Sequence, residues 1–406
     1  MAPDGPPTDR QAPQHHPAQM PGGEAAPRPR PKKSGLWKVI ALAVIFIILI
    51  AFLASPWLPM LVDRLTGHGR SYPESAHFWV NRTIGVDVAG GGVIDLRVRV
   101  PMPEDIGNGS GLMQDRQVTD PDPLPLLDAS GGTNWMVWEG SSVRSYVVTI
   151  GYEFEARLVW WDITKDSSGT PAEVPQATRA QYLGDEWKIV PSDPTVAQLS
   201  ASITAGEPTV YGRLRAIYDY LNENIQYEST RAGTPKDCLQ TLSDRSGDCD
   251  DQSILFCSLA RAAGVPAWLE FGSLYDSGSR AWGAHAWVRA FMLAGADAGW
   301  ANIDVVNQEF LIRPANRYTE WVDDGNGTDL QAYYKYINYS YFGPAPQLTV
   351  DDRLSGNLVP SSATIYVPAM GRPSTPWPEP LAVVLVVAAP ALAIKVVLSK
   401  RKRKDS

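Results

Sequence analysis

The chain has 406 residues, 44% of them hydrophobic and 20% charged, with three cysteines and a formal charge of −8; that length suits two or three packed units with a sizeable core. Residues 1–35 carry a net +2 and residues 395–406 a net +5, and Lys38 and Glu379 cancel, so the segment 58–376 holds −15. A body that acidic excludes nucleic-acid binding, which rests on neutralising phosphates with Lys and Arg, and three cysteines exclude a disulfide-framework miniprotein or a multi-Cys zinc module.

Residues 1–34 hold nine prolines and little that can pack, which predicts a disordered tail. Residues 39–54 are sixteen consecutive apolar residues, flanked by Trp37 and Trp57. As a helix, 37–57 would run about 31 Å, the thickness of a bilayer core. The charged tail before it is too long for a cleaved signal peptide, and no small-x-small site comes after it. Between about 70 and 190 the pattern has period two. Ile94, Leu96, Val98 and Val100 alternate with charged residues, and a second alternation runs from Tyr146 to Trp160, with room for a bend. These strands predict a sandwich-like β-rich domain that supports or orients the next part of the chain.

From about 205 the period becomes helical: Val210, Leu214, Ile217, Tyr218, Leu221 and Ile225 mark one face. The next helix opens at Gly247-Asp-Cys-Asp-Asp251, where Asp248 is a natural N-cap, and closes at Gly264 and Pro266. Cys249 therefore stands at the first helical position. The helix dipole favours its thiolate, whereas Asp250 and Asp251 oppose it.

A thiol nucleophile needs a base, and the base needs an orienting acceptor. Of five histidines, His15 and His16 lie in the tail and His68 and His77 just past the first apolar run, leaving His285. It sits on an alternating stretch, 282–291, and a second strand, 299–306, comes after the small-residue loop 293–298. In a hairpin centred at Ala294 and Gly295, Asp304 would oppose His285 on the same face, about 5 Å away. No His/Cys/Asp cluster at metal-ligand spacing is expected in the outer segment. Tyr333, Tyr334, Tyr336, Tyr339 and Tyr341 read as a strand with aromatic residues on both faces, or as a binding surface.

A second apolar run, 377–398, contains Pro390 and ends in Lys395 and the basic cluster 400–404. With Lys and Arg on the terminal side of both runs, the positive-inside rule puts both termini in the cytoplasm and 58–376 outside. Sequons at Asn81, Asn108, Asn326 and Asn338 agree with that placement.

A Cys at a helix start, then a His on one strand and an Asp on the next, resembles the transglutaminase-like superfamily, a papain-like α+β core. The likeness rests on 247–251, on 255–266, on His285-Ala-Trp287, on Gly299-Trp300 with Asp304, and on the lead-in from Tyr182 through Tyr227. It departs where Val305, not Pro, succeeds the Asp. The resemblance implies Cys249 as nucleophile, His285 as general acid/base and Asp304 as orienter. It also implies acyl transfer from a protein or peptide amide through a thioester to an amine or water, without cofactor or metal. The Cys249 backbone N–H is the natural first oxyanion donor; Trp282 and Gln240 are candidates for a second.

The expected organisation is thus a cytoplasmic tail (1–35), a transmembrane helix (36–57), a β-rich domain (70–190), a transglutaminase-like catalytic domain (191–325), a β extension (326–367), a Pro-rich stalk (368–376), a second transmembrane helix (377–398) and a basic tail (399–406). Such a protein is a two-pass cell-membrane protein with its catalytic domain outside. A cysteine peptidase or amidase, and a non-catalytic binding module, stay open as alternatives. So does the state of the other two cysteines: Cys257 cannot reach Cys249 along one helix, and Cys238 and Cys257 are either bridged or simply buried.

Overall fold

The computed structural model describes residues 42–47, 69–108, 111–129, 132–229, 233–294 and 297–368. Residues 42–47 are helical and exposed and belong to a unit, Met1–Leu61, separate from the body Val62–Ser406. Among the described residues no helix is long and apolar enough to cross a membrane. The two apolar runs, apart from 42–47, and both terminal tails lie outside the described residues.

The β-rich part is a two-sheet sandwich. One sheet orders the strands Ile337–Phe342, Val93–Pro101, Trp135–Ser141 and Leu126–Asp128; the other orders Gln347–Pro360, Ser75–Ala89, Ser145–Arg157, Gly111–Asp122 and Ile106–Asn108. The period-two pattern explains the layering. Ile94, Leu96, Val98 and Val100 are buried against Val148, Ile150, Tyr152 and Phe154, while Asp95 and Arg97 face out. The longer alternation does bend. Its strand stops at Arg157, and Val159–Trp160 crosses to pair with Ile312–Arg313.

Residues 326–367 are not a separate extension. Ile337–Phe342 pairs with Val93–Pro101 and Gln347–Pro360 with Ser75–Ala89, so the C-terminal strands complete both sheets of the sandwich. The tyrosine run is also divided. Tyr333 and Tyr334 end the helix Gly327–Tyr334, capped by Asn326, and only Tyr339 and Tyr341 lie on the next strand.

The second half packs helices on one face of a five-stranded antiparallel sheet, ordered Glu309–Phe310, Asp297–Asp304, Ala281–Ala294, Ala267–Asp276 and Arg317–Val322. Its central element is the helix Cys249–Ala262, in which every residue from Asp251 to Arg261 is buried. The helices Pro194–Ile203, Val210–Asn224 and Cys238–Asp244 enclose it together with the sheet, so it lacks a solvent face despite its polar residues. Those residues are bonded: Arg261 Nε donates to Ala267 O at 2.7 Å and Ser258 Oγ to Ile254 O at 2.9 Å. Val210–Asn224 contributes the predicted face: Val210, Leu214, Ile217, Tyr218 and Leu221 are all buried.

Sandwich and sheet meet across a packed seam. Trp282 and Tyr318 of the five-stranded sheet stand 5.0 Å and 6.2 Å from the Phe78 ring. Arg82 pairs with Glu320 of the strand Arg317–Val322 and with Asp352 of the sandwich. Gln114 accepts the Thr319 amide at 2.6 Å.

Candidate active site

The helix Cys249–Ala262 starts in a rigid turn. Asp248 Oδ1 accepts the Asp251 amide at 3.3 Å, and Asp251 Oδ2 accepts the Asp248 amide at 3.2 Å. Asp251 Oδ1 also takes the Lys236 amide at 2.6 Å, tying the preceding loop to the same point. A Cβ on Gly247 would lie 2.5 Å from the Asp251 Cβ, so the capping box needs a glycine there.

Cys249 is thereby fixed at the helix start. Its thiol donates to Asp250 Oδ1 at 3.4 Å and accepts the Ala286 amide, and one turn on Ser253 Oγ reaches Ala286 O at 3.4 Å. The strand Asp297–Asp304 pairs with its neighbour only between Val288 and Ala294. Beyond that point the first turn of the helix lies against the backbone of residue 286, next to His285. The contest between dipole and carboxylates has a direction: burial, and then the Asp250 charge, push the Cys249 thiol well above its ordinary value. The resting Cys249 side chain is a neutral thiol.

His285 is buried and turns Nε2 to Asp304 Oδ2 at 2.8 Å. With Nε2–H donating to the carboxylate, Nδ1 is the basic nitrogen of the ring. Asp304 is buried too. Its Oδ2 also accepts Arg317 Nη1 at 2.9 Å and Asn307 Nδ2 at 2.8 Å, and its Oδ1 takes the Asn307 amide at 3.0 Å. Burial raises the Asp304 carboxyl, but His285, Arg317 and Asn307 outweigh it and hold the group well below the usual range.

The hairpin register differs from the expected one. Val288 opposes Ile303 and Ala294 opposes Asp297, so the strands reach into the run expected as a loop. In this register His285 and Asp304 are diagonal, not opposed. The displacement is two residues, which preserves the side of the sheet, and diagonal neighbours still meet.

Sequence reasoning missed Asn307, Arg317 and Glu309. Arg317 bridges two buried carboxylates, with Nη2 2.6 Å from Glu309 Oε2, and lies 5.2 Å above the Trp287 ring. Burial and the nearby Asp304 charge outweigh Arg317 and push the Glu309 carboxyl up to about 7. The only available signal was an Arg alternating inward with Thr319 and Trp321 on the strand Arg317–Val322; nothing marked Glu309.

The two candidate second oxyanion donors are elsewhere. Trp282 packs in the seam against Phe78 and Tyr318, and Gln240 is exposed on the helix Cys238–Asp244. Contrary to expectation, one metal-type cluster occurs among the described residues: Asp248, Cys249 and Asp250 bring ligand atoms within 4.8 Å of one another. Its carboxylates are engaged, Asp248 as the helix cap and Asp250 with Tyr334. The three cysteines are free thiols, with Cys238 and Cys257 buried in the core, so the 238–257 bridge is not formed.

Residues 197–305 match the transglutaminase-like superfamily, so the chain carries a domain of that superfamily. No curated protein sequence matches the chain. Among solved structures, a candidate cysteine protease from Cytophaga hutchinsonii is similar at 13% identity and a TM-score of 0.54, over 75% of this chain and 96% of that one. The periplasmic domain of TgpA from Pseudomonas aeruginosa is similar at 13% identity and a TM-score of 0.29, over 54% of this chain and 88% of that one.

Proposed function

We propose that the chain is a membrane-anchored, extracytoplasmic cysteine enzyme that transfers an acyl group from a protein or peptide amide to an amine or to water. The carrying observation is the buried His285–Asp304 pair, 2.8 Å apart, beside a cysteine at a helix N-terminus. Cys249 gives its proton to His285 Nδ1 and attacks the amide carbonyl, and the oxyanion forms near the Cys249 backbone N–H. His285 then protonates the leaving amine as the C–N bond breaks, leaving a thioester on Cys249. An incoming amine or water, deprotonated by His285, attacks the thioester and frees the thiol. The residues need no cofactor for these steps. The charge pattern supports two membrane spans at 36–57 and 377–398, with both ends in the cytoplasm and the bilayer as the second partner.

Water as acceptor would make the enzyme a peptidase or amidase; the similar Cytophaga hutchinsonii protein is a candidate cysteine protease. One experiment separates the readings. Intact cells making the full-length protein are given a glutamine peptide and a membrane-impermeant labelled amine. Cys249-dependent incorporation of the amine is the expected result. Ammonia release or peptide cleavage without incorporation would select the hydrolase. Turnover only after the cells are opened would overturn the outward orientation, and no turnover in either state would overturn the enzymatic reading.

A further inference from the structure

The helix Gly327–Tyr334 belongs to neither the nucleophile helix nor the His–Asp strands, yet it ends on the nucleophile. Tyr334 OH donates to Asp250 Oδ2 at 2.9 Å, and the other oxygen of that carboxylate accepts the Cys249 thiol at 3.4 Å. Tyr334 is itself wedged between aromatic rings, 5.2 Å from Trp187 and 5.5 Å from Phe271 in an edge-to-face contact. Its neighbour Tyr333 donates to Glu320 Oε2 at 3.2 Å, and Glu320 pairs with Arg82 of the sandwich. A continuous set of contacts therefore runs from the sandwich through one short helix to the reacting sulfur.

We propose that Asp250, clamped by Tyr334, is a positioning residue for Cys249: it accepts the hydrogen bond of the resting thiol and so keeps the proton on sulfur until substrate displaces the contact. Among the described residues the thiol hydrogen goes to Asp250 and not to the His285 ring. A carboxylate touching a sulfur disfavours the thiolate by charge, and a hydrogen bond from the thiol favours the protonated form further. The other titratable groups around the pair do not reverse this. Asp248 and Asp251 on the helix start add negative charge, Tyr227 and Tyr334 are neutral phenols, and Lys236 is turned to Asp244 and the far side of Asp251. The Asp250 carboxyl is pushed up to about 6, by burial first and Asp248 next, and the Tyr334 hydroxyl is among the groups that keep it ionised at neutral pH. The sandwich thus acquires a role beyond support, because it seats the helix that carries the clamp.

This inference rests on Cys249 as the reactive thiol, and its test uses no substrate. The rate of iodoacetamide alkylation at Cys249 is measured from pH 6 to pH 10 in the full-length protein by mass spectrometry of the Cys249 peptide. Asp250→Asn should move the profile to lower pH by about one unit, making alkylation at pH 7 about tenfold faster. Tyr334→Phe should give a smaller shift in the same direction, since a carboxylate no longer held by the phenol turns away from the sulfur and opposes the thiolate less, and it decides the matter alone if Asp250→Asn does not fold. A profile unmoved or shifted upward in the variant tested would overturn the clamp. Shifted profiles in a protein that turns over no amide would leave the clamp standing and sink only the proposed reaction.

Discussion

Cys249→Ser and His285→Ala should each lower amide turnover by at least about 10⁴-fold, because each removes a group that makes or breaks a bond. Neither should do much to the thermal unfolding profile. Cys249 is partly exposed, and without His285 the Asp304 carboxylate keeps Arg317 and Asn307 as partners. Asp304→Asn should fall between wild type and these two, retaining a small residual rate, since it mis-sets the His285 tautomer without removing a reacting group. Progress curves on the glutamine peptide, paired with calorimetry of the same samples, check both halves. Near-full activity in Asp304→Asn would show that the His285 ring is oriented by something else.

The second large effect concerns stability. Arg317→Met should destabilise the protein by about 3–5 kcal/mol, because it strands the buried Asp304 charge beside Glu309 with no cation between them. In a body of this size that corresponds to a fall of about 10 °C in Tm. Glu309 is already pushed up to about 7, so without Arg317 it takes up a proton and its own charge drops out. The double variant Arg317→Met/Glu309→Gln should therefore be no less stable than Arg317→Met alone, a non-additivity read by comparing the four proteins in urea. Additive losses would mean that Glu309 stays ionised and acts independently of Asp304.

The parts of the site built locally were legible in the sequence. Gly247, Asp248 and Gly264 mark both ends of one helix, and the position of Cys249 is set by the cap. The His285–Asp304 hairpin was legible in parity but not in register. Residues 293–298 offer both Gly295 and Asp297 as turn residues among alanines, which leaves the apex unpinned, and the register differs by two residues from the one the pattern suggested. What comes from distant chain segments was not legible. Gln347–Pro360 finds Ser75–Ala89 across more than 250 residues of chain, and no local periodicity encodes such a choice. Tyr334 reaches Asp250 for the same reason, 84 residues on. Arg317 and Glu309 take their roles from burial next to Asp304, a property of packing and not of their neighbours in sequence.

The most direct test is to catch the bond on which the mechanism turns. Full-length protein turning over the glutamine peptide without an amine acceptor is quenched in acid within its first turnovers, and the Cys249 peptide is weighed. A mass increment equal to the peptide acyl group, discharged by hydroxylamine and missing from Cys249→Ser, is the predicted result. Turnover with no such increment, or with the acyl group on another residue, would contradict the account.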